Sequence, residues 1–180
     1  MPSRATTAIA VALSLLLAAI VAACTHPSAA STVRLPDGGN GLRATVTHVV
    51  DGDTADLRLP DHATERVRFL GIDTPETVKP NTPVQCYGPE ASARTKALLP
   101  PGTPVIIQRD QEARDRYGRL LVYIWRAKDR LFVNRSLATD GFARTLSIEP
   151  NTAHRSDLAA AAEAARVAGR GLWGTCPPTG

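Results

Sequence analysis

The sequence predicts one α+β domain, mainly β, in which a small curled sheet carries three packed helices. Three observations lead there. From Gly41 onward, β-branched residues alternate with polar ones in short runs punctuated by Gly, Pro and Asp. These runs follow one another closely, as antiparallel strands do, without the helices that βαβ units would place between them. Helix-start and helix-stop signals flank three later segments.

The elements follow in order. Leu42 to Val50 alternates and reads as a strand, closed by Asp51-Gly52-Asp53. Thr54 to Leu59 makes a second strand, Pro60-Asp61-His62 a turn, and Glu65 to Ile72 a third strand. A helix is expected to start after Gly88, with Pro89 at its first position and Glu90 in its first turn, and to run to Leu99. Pro100-Pro101-Gly102 stops it. Pro104 to Gln108 and Arg119 to Trp125 read as two further strands, and Leu131 to Thr139 as a helix ending near Gly141. Asn151-Thr152 offers a cap for a last, Ala-rich helix to Ala168, terminated by Gly169 and Gly171. The order β-β-β-α-β-β-α-α fits a five-stranded OB-fold barrel with three helices around it, an architecture that favours oligonucleotides without fixing function.

The N-terminus reads as a targeting segment. Arg4 precedes an apolar run from Ala8 to Ala23, too short for the ~20 residues of a spanning helix. We expect residues 1–23 to be a signal peptide and the protein to be exported. Val21-Ala22-Ala23-Cys24 resembles a lipobox, which makes Cys24 a lipidation site and the membrane a partner through that anchor. Residues 24–40 then form a lipidated start and flexible tether, 41–176 the domain and 177–180 a tail. Setting Cys24 aside leaves Cys86 and Cys176, an even pair expected to bond in an oxidising compartment. The four histidines show no zinc-ligand spacing with them. A formal charge of +4 is compatible with a polyanionic partner but does not select one.

Three stretches carry chemistry: Asp51-Gly52-Asp53-Thr54, Arg68 to Thr77, and Asp115-Arg116-Tyr117-Gly118-Arg119. Asp53 and Asp73, from two strand ends, can converge on a hard, oxygen-seeking cation. Glu76, three residues beyond Asp73, can address a water there. Arg68 shares the strand that ends in Asp73, and Arg119 opens the strand after a Gly turn. A cation, a carboxylate base and two guanidinium groups suffice for phosphodiester hydrolysis. Read singly, each fragment is an ordinary turn or strand end. The Asp-Gly-Asp stretch is also not an EF-hand loop, because Ala55 and Asp56 stand where a ligand and Gly belong.

Taken together in this order, these stretches resemble the staphylococcal-nuclease family. With Tyr87-Gly88-Pro89-Glu90-Ala91-Ser92 and Gly171-Leu172-Trp173, the likeness runs from Leu42 to Trp173. The resemblance implies a calcium-dependent nuclease that acts on DNA and RNA and leaves 3′-phosphates. It implies Asp53 and Asp73 as calcium carboxylates, Thr74 as a carbonyl ligand and Asp51 as an acid behind them. Glu76 matches the general base, Arg68 and Arg119 the phosphate-binding pair, and Arg116 and Tyr117 residues beside a terminal phosphate. The chain departs from the pattern at Leu146 and Ile148, where tyrosines line the base pocket, and at Thr82, where a lysine stands. Losing an aromatic platform forfeits stacking of about 1–3 kcal/mol per base.

Three functions compete: a monomeric, envelope-tethered nuclease, an OB module that binds nucleic acid without cutting it, and an envelope scaffold with no nucleic-acid role. Retention of Asp53, Arg68, Asp73, Thr74, Glu76 and Arg119 favours the enzyme, since a binding-only module has no use for the complete set.

Overall fold

A computed structural model describes residues 32–77 and 83–177. The signal segment, Cys24 and Thr82 lie outside the described residues. The strands are β1 (Thr32–Arg34), β2 (Asn40–Val49), β3 (Thr54–Arg58), β4 (Thr64–Phe69), β5 (Gly71–Asp73), β6 (Pro104–Gln108), β7 (Leu120–Arg126), β8 (Leu131–Phe132) and β9 (Arg144–Leu146). The helices are α1 (Gly88–Leu98), α2 (Val133–Thr139), α3 (Arg155–Val167) and the single turn α4 (Leu172–Thr175). No helix among the described residues is long and apolar enough to cross a membrane.

Five strands close a barrel. β2 pairs β3, β3 pairs β4, β4 runs parallel to β7, β7 pairs β6, and β6 returns to β2. β2 serves both ends of this circuit because it is long and bulged. Leu42 to Thr45 face β6, Thr45 to Val49 face β3, and the register shifts between Val46 and His48. Inward residues such as Leu57, Val67, Phe69, Val122 and Ile124 are fully buried. The expected five-stranded OB barrel with helices around it is the fold observed.

Four local expectations change. Residues 32–40 are not tether: β1 pairs with β2 as a hairpin, and Leu35 is only 3% exposed. Thr-Val-Arg followed by Pro-Asp-Gly-Gly is a strand and a turn, so the domain starts at or before Thr32. The third strand breaks at Leu70. Its N–H donates to the Val122 carbonyl and its own carbonyl accepts from Asn134 Nδ2, so the broken ladder stays satisfied. Gly71, at φ 76°, redirects the chain into β5, which pairs with β9. Leu131 and Phe132 extend β7's ladder as β8, so α2 begins at Val133. Finally, Asn151 does not cap α3. Its amide accepts from Glu112 N–H at 2.8 Å and donates to the Glu112 carbonyl at 3.1 Å, while His154 takes the N-cap position.

Candidate active site

The site lies where β3 begins and β4 ends. The tight Asp51-Gly52-Asp53 turn is fixed from behind: Asp51 Oδ1 accepts the Asp53 N–H at 3.0 Å, and Thr95 Oγ1 on α1 donates to the Gly52 carbonyl at 2.7 Å. Gly52 permits this fit, because a Cβ there would stand 2.5 Å from Thr74 Oγ1. That close approach brings Thr74 against Asp53, whose Oδ2 accepts from Thr74 N–H at 2.9 Å and Thr74 Oγ1 at 3.1 Å. Asp53 Oδ1 accepts from Thr54 Oγ1 at 3.1 Å.

Arg68 lies between the two carboxylates. Its Nε stands 3.1 Å from Asp53 Oδ1, and Nη2 donates to Asp73 Oδ1 at 2.9 Å. Nη1 donates to the carbonyls of Phe69 and Ile72, at 2.5 and 2.8 Å. The arginine and Asp53 are buried, whereas the Asp73 side chain is 55% exposed. Partial desolvation in the cleft pushes the Asp73 carboxyl above its ordinary range; the Arg68 charge pulls it back, and Asp53 and Glu76 push it further up. Burial, then the Asp53 charge, likewise raises Asp51. Acids crowded in this way favour a cation.

Arg119 is aimed by Asp115. Asp115 Oδ1 accepts the N–H groups of Tyr117 and Arg119, each at 3.0 Å, and Oδ2 accepts Arg119 Nε at 2.7 Å. Burial pushes Asp115 up, but its hydrogen bonds and ion pair with Arg119 outweigh that and leave the carboxyl below its usual range. The Nη groups of Arg119 make no hydrogen bond among the described residues. Tyr117, 68% exposed, stands beside it, with the Arg119 and Arg116 guanidinium carbons 5.5 and 4.8 Å from its ring centroid. Arg116 donates to the Tyr117 hydroxyl at 2.6 Å.

One cleft of about 720 Å³ collects these groups: Asp51, Asp53, Arg68, Asp73, Thr74, Glu76, Tyr117 and Arg119 line it. Arg116 is not in its wall and reaches it only through Tyr117. Leu146 and Ile148 form an apolar side of the same cleft, because β9 pairs with β5 and sets Leu146 opposite Gly71. Glu76 is positioned by its backbone: its N–H donates to Gln85 Oε1 and its carbonyl accepts the Gln85 N–H, both at 2.9 Å. Gly88 at the start of α1 closes against this segment, where a Cβ would meet the Glu76 carbonyl at 2.9 Å. Next to Gln85, Cys86 is bonded to Cys176, with Cα atoms 5.8 Å apart.

Among the described residues, no three or more His, Cys, Asp or Glu side chains are grouped as a metal site. Among the described residues the cleft offers carboxylate oxygens from Asp51, Asp53, Asp73 and Glu76, and the ligand set expected from sequence, Asp53, Asp73 and the Thr74 carbonyl, draws on these. An all-oxygen, incomplete set of this kind fits a hard cation that draws its remaining ligands from water and substrate.

Thr95 and Asp115 position this site, and sequence reasoning assigned them no role. An Asp followed by N–H groups two and four residues on, in a Gly turn, is a readable signal for Asp115. Nothing local marks Thr95, whose partner lies forty-three residues away.

Comparison with known proteins agrees with the geometry. Residues 66–175 match the family model described as staphylococcal nuclease homologue, a span that holds Arg68, Asp73, Thr74, Glu76 and Arg119. The chain is 44% identical over 128 residues to a thermonuclease of Staphylococcus intermedius, covering 71% of this chain and 74% of that protein. It is 41% identical over 128 residues to the thermonuclease of Staphylococcus hyicus, covering 71% and 73%. It is also 39% identical over 112 residues to endonuclease YncB of Bacillus subtilis, covering 62% and 52%. With the barrel and the cleft as described, these matches place the chain in the staphylococcal nuclease family.

Proposed function

We propose that this protein is a calcium-dependent nuclease that hydrolyses phosphodiester bonds in DNA and RNA and leaves 3′-phosphates. One observation carries the reading: hard oxygen donors, two guanidinium groups and a carboxylate converge on a single cleft. The thermonuclease and endonuclease relatives support it. Arg119, held at Nε by Asp115, offers its Nη edge to phosphate oxygens and stabilises the charge that develops as water adds. Arg68 Nη2, which holds Asp73 here, is the end that reaches a second oxygen. Glu76 takes the proton of the attacking water and delivers it toward the departing 5′-oxygen. Asp53, Asp73 and the Thr74 carbonyl would hold calcium, which supplies Lewis-acid polarisation of the phosphoryl oxygen.

Calcium suits this site better than magnesium. Calcium accepts about 6–8 oxygens with loose geometry, whereas magnesium demands a near-ideal octahedron and gives up water reluctantly. A phosphodiesterase assay after chelation, with each cation restored separately, should recover activity with calcium and poorly with magnesium. Asp53→Asn should lose calcium affinity by calorimetry. Full activity in chelator, or a preference for zinc, overturns the proposal.

We further propose export with a lipid anchor at Cys24, on the strength of the Val21-Ala22-Ala23-Cys24 pattern. Wild-type protein should partition with membranes until detergent is added, and Cys24→Ala should not. An unmodified, soluble N-terminus downstream of Cys24 overturns it.

A further inference from the structure

A second basic groove lies on the outer face of the barrel. Its cavity is about 320 Å³, and Arg43, Arg58 and His62 line it over an apolar floor that includes Pro60 and Pro104; among the described residues no carboxylate is in the lining. Asp61, beside His62, is turned to its own hairpin, where Oδ1 accepts the Ala63 N–H at 3.0 Å. His62 sits in the left-handed region at φ 69°, fixed there by its N–H donating to the Leu59 carbonyl.

The charges here differ from those around them. Arg66 is closed by Asp56 at 2.8 Å and Arg114 by Glu65 at 2.7 Å, whereas Arg43 and Arg58 make no ion pair or hydrogen bond among the described residues. They are also neighbours by register: Arg58 stands opposite Thr45, and Arg43 is two residues along β2 from Thr45 on the same face. The groove is in line with the active cleft. Along β3, Thr54 lines the cleft and Arg58, on the same face of the strand, lines the groove, four residues or roughly 13 Å further on. On a duplex, with about 3.4 Å of helix axis per phosphate of each strand, that separation measured along the axis corresponds to roughly four nucleotides.

We propose that the Arg43–Arg58–His62 groove is an exosite for the phosphate backbone of the same nucleic-acid strand that occupies the cleft. This rests on the nuclease reading and adds a second contact, engaged only by substrates long enough to bridge both. Arginine forks match phosphate oxygens, and a groove with apolar walls presents them with little competing charge. An anionic membrane is the weaker occupant, because lipid-binding surfaces gather about 4–8 basic residues rather than two arginines and a histidine.

The test is fluorescence anisotropy in chelator with a labelled single-stranded DNA of about 16 nucleotides, the upper site size of an OB fold, and with a labelled dinucleotide. Probe integrity is checked on a gel. In Arg43→Gln/Arg58→Gln, affinity for the long probe should fall several-fold. The slope of log affinity against log salt should flatten by about 0.7 for each arginine removed. Dinucleotide binding should not change, and Arg43→Lys/Arg58→Lys should keep the slope. An unaltered slope and affinity for the long probe overturns the exosite. So does an equal loss on the dinucleotide, or a loss confined to phosphatidylserine vesicles. Turnover of polymer DNA, measured separately on the same protein with calcium, reports on the nuclease reading. Absent turnover with the expected binding changes would sink the enzyme and leave the exosite standing.

Discussion

Arg68 and Arg119 share a proposed role at the phosphate but are held in the fold in different ways. Arg119 is partly exposed and held by one carboxylate, so its loss should leave the fold nearly intact. Arg68 is buried and serves two carboxylates and two carbonyls at once. Removing it strands the buried Asp53, a type of change that costs about 3–5 kcal/mol. We therefore expect Arg68→Gly and Arg119→Gly each to lower kcat by about 10²-fold or more. Only the first should also lower the denaturation midpoint. Lysine should rescue neither, since a point charge cannot reproduce the fork. Steady-state kinetics beside a urea melt separates the two effects, and near-normal turnover in either glycine variant refutes the roles.

At the scale of elements, the junction of the first hairpin with α3 carries a pH dependence. His154, at the N-cap of α3, stands 3.3 Å from Asp37 and 3.0 Å from Gln108 Oε1, beneath the rings of Tyr123, Phe132 and Trp125. Burial lowers its pKa from 6.5, although Asp37, Asp157 and Asp110 pull it upward. The folded state thus resists a proton that the unfolded chain accepts below about pH 6.5. Stability should be intact above that value and decline as pH falls through the folded pKa. His154→Gln should flatten this slope in melts taken between neutral pH and the onset of carboxylate titration. A slope unchanged by the substitution would show that His154 does not couple folding to protons. The same elements show what the sequence made legible. Strands with clean alternation were readable, as were the motif residues, whose types and spacing are themselves the signal. The break at Leu70 was not, because apolar residues continue on both sides of it and the partners that permit it, Val122 and Asn134, are distant in sequence. Asn151 looked like a cap because a cap and a clasp on Glu112 use the same amide atoms. The three residues of β9 are too few to show a period, yet they place Leu146 on the cleft.

Across the whole molecule, the Cys86–Cys176 bond ties the start of α1 to the end of α4, over a separation of 90 residues. Chain-entropy reasoning puts the stabilisation from so long a loop at about 4–5 kcal/mol, with measured effects often smaller. Reduction, or Cys86→Ser/Cys176→Ser, should lower Tm by several degrees while activity at 25 °C persists. The cleft is built from Asp53, Arg68, Asp73 and Arg119, none of which depends on the bond directly. An unchanged Tm would refute the stabilising role, and lost activity in a folded variant would show that Gln85, beside Cys86, transmits the bond to Glu76. The bond also divides the chain unevenly. Asp53, Arg68, Asp73 and Glu76 precede the loop it closes, whereas Arg119 and the exposed Tyr117 turn lie within it. Exposed turns of this kind are where proteases cut. A single cut there would separate the two halves of the site in the backbone, yet both pieces would remain one covalent molecule, joined through sulfur and aligned by the parallel β4–β7 ladder. In the proposed exported setting, the protein would thereby outlast its first nick.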